Sequence, residues 1–255
     1  SGGPDSLALL LALKLLAVKE KINIGCCCVN HHLRAAAGKE AEFVESVCRE
    51  WNIPFILKEV DVQSAVRNGG SIETAARDLR YKALREAARG GGYAKIAVAH
   101  HGDDQAETVL YHLLRGSGVT GLSGMKPING DIIRPFLCVS KNEIKDFLKD
   151  FSYVPCHDES NDVEDAVRNR IRLSLVPELI SYNPRVTESL RRTADIFREE
   201  DLFMEEKADV FISSCVEHDN DKCVFFIAYF LVLHIALQRR VIRKICCCLL
   251  YTSPS

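Results

Sequence analysis

Apolar and polar positions along the chain fall into blocks with two different periods. From Leu7 to Lys19 the apolar residues are nearly continuous, which predicts a helix covered on several sides. INIGCCCV (22–29) is a short apolar run of small and β-branched residues and reads as a buried parallel strand. Lys39 to Glu50 has helical period, and PFILKEV (54–60) is a second strand. Ile72, Ala76, Leu79, Ala83 and Ala87 make the apolar stripe of a helix that stops at Gly90, Gly91 and Gly92. The strand AKIAVA (94–99) and a helix from Asp103 to Arg115 follow. Strands alternating with helices predict an α/β protein, a doubly wound, Rossmann-like parallel sheet with helices on both faces. Beyond Arg115 come a glycine-rich loop, a short IIRPF strand and a helix over Lys141 to Lys149. From Val163 the pattern is helical, with a long amphipathic stretch from Arg185 to about Ser213. NPR interrupts two helical runs at Pro184, so the expected division is a catalytic domain over 1–183, a helical segment over 184–215 and an atypical tail over 216–255.

Composition changes this picture little. A chain of 255 residues with 27% charged and 47% hydrophobic positions can bury a sizeable core and is not of the disordered class. The net charge of -2 hides any local patch, so charge is read by segment. Eleven cysteines, an odd number in a long chain with no signal peptide, point to a reducing cytosol. Cys26, Cys27 and Cys28 are consecutive, as are Cys246, Cys247 and Cys248; no C-x-x-C spacing exists to bring two thiolates onto one zinc ion. They read as small hydrophobes.

Ligand groups in a doubly wound sheet lie beyond the carboxyl ends of its strands. SGGPDS, VNHHLR, AHHGDDQAET and RGSGVTGLSGM all fall there. In SGGPDS, Gly2 and Gly3 let the backbone approach phosphate oxygens, while the helix-start N–H groups and the Ser1 and Ser6 hydroxyls donate to them. Asp5 would repel those phosphates unless a divalent cation lay between, which implies Mg2+. Asp104 and Glu107, three apart, share a helix face at the same mouth, as a second Mg2+ ligand or as the counter-charge for an amine; Asp103 also fits simple compensation of the helix dipole. His100 and His101 lack H-E-x-x-H spacing. GSGVTG (116–121) matches G-x-G-x-x-G but follows a helix where the dinucleotide motif follows a strand, so it reads as a mobile or substrate-facing loop. Two segments are locally basic: Arg77, Arg80 and Arg85 in RDLRYKALREAARGGGYAK, and Arg168, Arg170 and Arg172 in RNRIR. Either is a solvated helix face or a grip on nucleic-acid phosphates.

In this order, SGGPDS with VNHHLR, SIETAARDLRY, AHHGDDQAETVLYHLLRGSGVTGLSGM, IRPFL with KNEI, and DESNDVEDAVRNRIRLSLVPEL resemble the tRNA(Ile)-lysidine synthetases, N-type ATP pyrophosphatases of the PP-loop superfamily. The resemblance runs from Ser1 to about Ser213 and departs at Val167, where an aromatic residue is expected. It implies an adenine nucleotide alpha hydrolase-like fold and a two-step reaction. ATP adenylates the C2 oxygen of the wobble cytidine in a tRNA(Ile) with a CAU anticodon, releasing diphosphate. The ε-amine of L-lysine then displaces AMP and leaves lysidine. It implies that Ser1, Gly2, Gly3, Pro4, Asp5 and Ser6 hold the nucleotide with His100 or His101 lining the pocket, and that Asp5 and Asp104 hold Mg2+. Asp104 and Glu107 draw in the lysine, and Arg77, Arg80, Arg85, Arg168, Arg170 and Arg172 meet the RNA. It implies a cytoplasmic enzyme with no membrane partner, and it allows a homodimer. Two alternatives remain from the residues: a PP-loop tRNA thiolation enzyme, for which Cys138 and Cys156 are isolated and no C-x-x-C exists, and an inactive adenine-nucleotide-binding fragment.

The ends carry expectations of their own. A phosphate loop of this kind hangs from a strand, so a strand is expected before Ser1, and its loss is expected to weaken nucleotide binding. From Cys223 the composition shifts to CVFFIAYFLVLHIALQRRVIRKICCCLLYTSPS, which reads as a tail foreign to the fold after a frame change near Asp221. Its 14-residue apolar run, VFFIAYFLVLHIAL, is short of the ~20 residues needed to cross a bilayer.

Overall fold

Helix α1 spans Pro4–Glu20 and begins where the sequence supplies a proline for its first turn, at a position whose missing N–H costs no helical hydrogen bond. A computed structural model of the chain describes residues 2–31, 37–62, 72–151, 153–156, 166–219 and 222–252. Only the first half of α1 is covered: Leu7, Ala8, Leu9 and Leu11 are buried, whereas Leu15, Leu16 and Val18 are exposed. The near-continuous apolar pattern of this helix therefore overstates its burial. Leu7, Ala8 and Leu11 pack with Val47 of α2 (Ala37–Glu50) and with Ile144 and Leu148 of a later helix, Lys141–Lys149.

Strand β1 (Cys26–Asn30) starts four residues later than the apolar run and pairs in parallel with β2 (Phe55–Glu59), Cys26 opposite Phe55 and Asn30 opposite Glu59. α2 packs on both strands, with Val44, Cys48 and Ile53 buried against Cys26 and Phe55. The cysteines here are packing groups, as expected: burial pushes the Cys27 thiol up to about 11 and the Cys28 thiol upward as well. Helix α3 (Ile72–Gly90) touches β1, β2 and the two-residue β3 (Ile96–Ala97). β3 pairs in parallel with β5 (Ile132–Ile133), and β4 (Ile128–Asn129) closes a hairpin onto β5 through Gly130, whose φ of 60° suits glycine. The parallel α/β architecture is as expected, but the sheet is in two pieces. Among the described residues no strand joins β1–β2 to β3–β5–β4, and α3 spans the two.

The rest is helical: α4 (Gly102–Leu114), the single turn α5 (Val119–Leu122), α6 (Lys141–Lys149), α7 (Ala166–Arg170) and α8 (Val176–Tyr182). IIRPF gives only two strand residues, because Pro135 has no N–H for a ladder and opens a 3-10 turn over Pro135–Cys138 instead. Between α7 and α8, residues Ile171–Leu175 form a π-helical turn just before Pro177, where an α-helical ladder would lose a donor.

In the later chain a helix break falls at Pro184, and the 30-residue α9 (Val186–Cys215) that follows packs along α4 and α5. In the tail, strands β6 (Val216–Asp219) and β7 (Lys222–Phe225) pair, and α11 (Ile235–Thr252), after the short α10 (Ile227–Leu231), packs on α9. Phe211, Val216, Val241 and Ile245 form a core of their own. Arg240 reaches Asp201 at 2.7 Å in the same interface, and both are buried.

Candidate active site

The glycine loop enters α1 with its backbone held from outside. The Gly2 carbonyl accepts from the Cys156 N–H at 2.9 Å, and the Gly3 carbonyl accepts the first helical bond from Leu7 at 3.0 Å. Both glycines are buried. A Cβ on Gly2 would lie 2.8 Å from Cys156 Sγ and 3.2 Å from Cys156 Cβ. Gly2 is thus needed for close approach to the protein's own thiol. We expect Gly2→Ala to weaken nucleotide binding about tenfold or more by pushing the loop off Cys156, and Gly2→Ala/Cys156→Ala to recover part of it. Equal nucleotide affinity of parent and Gly2→Ala, read by calorimetry, would contradict this. Ser1 lies outside the described residues.

α4 brings its own groups to the same place. His101 is its N-cap, extended at φ -119°, with Nδ1 accepting from the Asp104 N–H at 3.4 Å while the Asp104 carboxylate accepts from the His101 N–H at 2.9 Å. Because Nδ1 accepts, the ring proton sits on Nε2. Nε2 lies 3.5 Å from Asp104 Oδ2 and 3.8 Å from Asp5 Oδ2. His101 therefore stands between the two carboxylates that the sequence assigned to a cation.

Asp5 Oδ1 is buried and has no hydrogen-bond partner. Burial pushes the Asp5 carboxyl up; His101 and Lys141 oppose the shift and Asp104 adds to it. An orphaned carboxylate oxygen beside a second carboxylate is what a hard cation would satisfy. Among the described residues no three His, Cys, Asp or Glu side chains form a closed cage. Mg2+ fits such an open pair, because it keeps several waters and takes phosphate oxygens as ligands.

Glu107 is nearly fully buried and already has its counter-charges. Arg172, in the π-helical turn, grips it through two bonds, Nε to Oε1 at 2.8 Å and Nη2 to Oε2 at 3.1 Å, and reaches Asp104 Oδ1 at 3.3 Å. Arg168 Nε lies 3.5 Å from Glu107 Oε2. The structure thus turns Arg168 and Arg172 inward onto the carboxylates, away from the open basic face expected of RNRIR, while Arg170 is exposed.

His100 is mostly buried, and burial is the main reason its pKa falls to about 4; Asp104 opposes the shift, and Arg134, Arg80 and Arg168 add to it. The imidazole is neutral at pH 7. Since the unfolded chain takes up this proton near 6.5 and the folded one near 4, His100 contributes stability that is complete above pH 6.5 and is lost as pH falls toward 4. The loss amounts to about 3 kcal/mol. A His100→Asn protein should show a flatter denaturant midpoint between these pH values; an unchanged profile would exclude the effect.

In the other basic segment, Arg77, Arg80 and Arg85 surround the Tyr81 ring at 5.3, 5.5 and 5.9 Å. Arg85 also pairs with Asp131 through bonds of 2.8 and 3.3 Å. Within GSGVTG, residues 119–121 enter the turn α5 and Thr120 bonds Asp201 at 2.7 Å. Just beyond the stretch, Gln105 bonds the Ser123 and Met125 carbonyls and the Met125 N–H. Sequence reasoning missed Arg134, which is buried and donates to the Lys126 carbonyl at 2.7 Å. It also missed Cys156 as the loop's support.

Comparison with known proteins gives this geometry a family. A family model described as a PP-loop domain, of the ATP-binding kind, matches residues 1–179. The chain is 38% identical over 247 residues to the tRNA(Ile)-lysidine synthase of Caldanaerobacter subterraneus subsp. tengcongensis, covering 96% of this chain and 53% of that one. It is 35% identical over 245 residues to the enzyme of the same name from Thermotoga maritima, covering 96% and 59%. Among solved structures, the U34-tRNA thiolase NcsA from Methanococcus maripaludis with its 4Fe-4S cluster superimposes with a TM-score of 0.62 at 18% identity, over 78% of this chain and 70% of that one; this likeness bears on the fold alone. The chain belongs to the PP-loop family and has its adenine nucleotide alpha hydrolase fold. It spans between about half and three fifths of the length of these two synthases. No helix among the described residues is long and apolar enough to cross a membrane.

Proposed function

We propose that this chain carries the catalytic centre of a tRNA(Ile)-lysidine synthase, acting in the cytoplasm on a tRNA(Ile) with a CAU anticodon. The observation that carries the reading is the convergence of Asp5, His101, Asp104, Glu107 and Arg172 from three separate elements beside the glycine loop. Sequence relatives that bear the synthase name match across nearly the whole chain.

In this reading Gly2, Gly3, Pro4, Asp5 and Ser6 hold the diphosphate end of ATP, with Ser1 expected to join them. The C2 oxygen of the cytidine attacks the α-phosphorus and the bond to diphosphate breaks. The ε-amine of lysine then attacks C2, the C2–O bond breaks, AMP leaves, and the amine gives up a proton. Asp5 and Asp104 would hold Mg2+, which when bound would neutralise charge on the departing diphosphate. His101 Nε2–H sets the spacing of those two carboxylates. Glu107 is held by Arg172 and Arg168, and the three carboxylates of Asp5, Asp104 and Glu107 against these two guanidinium groups leave a net negative charge that would attract a lysine ammonium. Arg77, Arg80 and Arg170 are left to meet RNA phosphates, with Arg85, paired to Asp131, beside them.

The test is the point of ATP cleavage. With Mg2+-ATP, tRNA and L-lysine present, AMP and diphosphate should both appear; without lysine diphosphate should appear while AMP stays on the RNA, and neither should appear without RNA. Release of ADP and phosphate would sink the reading; sulfur transferred to the RNA would favour a thiolation enzyme.

A further inference from the structure

A cavity of about 390 Å³ opens between α3 and the β4–β5 hairpin, lined by Arg77, Asp78, Tyr81, Arg85, Asn129 and Arg134 among others. It is built from other elements than the glycine loop. Arg134 is only 8% exposed, and its Nε is buried without an acceptor. The Tyr81 hydroxyl is also buried and has no partner. Two donors held dry on the wall of one cavity call for an oxygen-rich acceptor. The charge around them is mostly positive. Arg77 and Arg80 lie against the Tyr81 ring and make no ion pair among the described residues, Arg85 is taken up by Asp131, and Asp78 is the lone acid in the lining. Arg134, Arg80 and Asp104 all act on His100, so cavity and carboxylate site share a neighbour.

We propose that this cavity binds one phosphodiester of the RNA substrate, next to the nucleotide being modified, with its non-bridging oxygens accepting from Arg134 Nε, the Tyr81 hydroxyl and Arg77. The volume suits one nucleotide, and a planar guanidinium with a fixed hydroxyl suits phosphate geometry. Asn129 and Asp78 then face the ribose and base edge at the rim. The proposal rests on the reading of the chain as an RNA-modifying enzyme, and it adds a place where the RNA is held that is separate from where ATP is held.

The experiment measures binding of a CAU-anticodon tRNA to the full chain as a function of salt, for the parent, Tyr81→Phe and Arg77→Ala, with Mg2+-ATP binding read alongside. Tyr81→Phe keeps the ring that the arginines pack on and removes only the hydroxyl. It should lower RNA affinity about five- to tenfold and leave ATP affinity unchanged. Arg77→Ala should reduce the slope of log K against log salt by roughly 0.7 to 0.9, the value of one phosphate contact. Inorganic phosphate at millimolar concentration should compete with the tRNA in the parent and less in Tyr81→Phe. Parental affinity and slope in both variants would overturn the proposal, as would a parent that does not bind RNA. Phosphate that binds without displacing RNA would assign the cavity to a free anion and overturn it too. A parent that binds RNA in this way but forms no AMP would leave the cavity assigned and remove the proposed reaction.

Discussion

Asp5→Asn is expected to cost the protein its reaction and to make its fold more stable. Asp5 Oδ1 is buried without a partner, and burial together with Asp104 raises the carboxyl's pKa. An acid whose folded pKa is raised favours folding at low pH and loses that contribution as pH rises through the folded value. At pH 7 the charged carboxylate is therefore a cost, which the neutral amide lacks. A gain on the order of 1 kcal/mol is typical of relieving such active-site strain. It should be present at pH 7 in the absence of nucleotide and Mg2+, and should vanish below the ordinary carboxyl value of 3.8, where the parent's Asp5 is protonated in both states. Activity should move the other way, with tRNA-dependent AMP formation falling about a hundredfold or more for want of an anionic cation ligand. Parental turnover, or a melting temperature lowered at pH 7, would remove Asp5 from this role.

Arg172→Ala should have the largest effect on the fold. Glu107 is 5% exposed, and Arg172 supplies both of its close hydrogen bonds. Removing one partner of a buried pair leaves an uncompensated charge and costs about 3 to 5 kcal/mol. Arg168, 3.5 Å away, still offsets part of that charge, which places the loss near the lower end, about 3 kcal/mol. Arg172→Lys should recover little, because an ammonium cannot make the two-bonded grip. Arg172→Met paired with Glu107→Gln should recover most of the stability and none of the activity. Denaturant unfolding of the four proteins decides it: an Arg172→Ala midpoint equal to the parent's would mean that Glu107 does not depend on this arginine.

What the sequence discloses about this site follows the range of the interactions. The glycine loop, the capping residues of α4 and the shared face of Asp104 and Glu107 are local, and local spacing predicts them. The partner of Glu107 is 65 positions away in a π-helical turn, and no periodicity connects the two. Charge counting placed Arg168 and Arg172 on a basic face, since it cannot tell a guanidinium turned toward RNA from one turned toward a carboxylate. Cys156 was legible only as an isolated cysteine, because its role lies in a backbone bond to Gly2 across the fold. A parallel sheet followed from alternation of periods, but which strands pair, β1 with β2 and β3 with β5, did not, and short strands with long helices made the strand limits generous by several residues. The contacts of the tail were not legible for a different reason. Val241 and Ile245 lie on the α11 face that meets Phe211, and Arg240 sits opposite Asp201. Composition does not carry that register.

The most direct measurement supplies the chain with Mg2+-ATP, labelled L-lysine and an unmodified tRNA(Ile) bearing CAU, then digests the RNA to nucleosides and weighs the one at the wobble position. Label should be found there alone, in a nucleoside heavier than cytidine by one lysine less one water, and should be absent when Asp5→Asn replaces the parent. An unaltered cytidine at that position, with ATP bound and the tRNA bound, would contradict the proposed function.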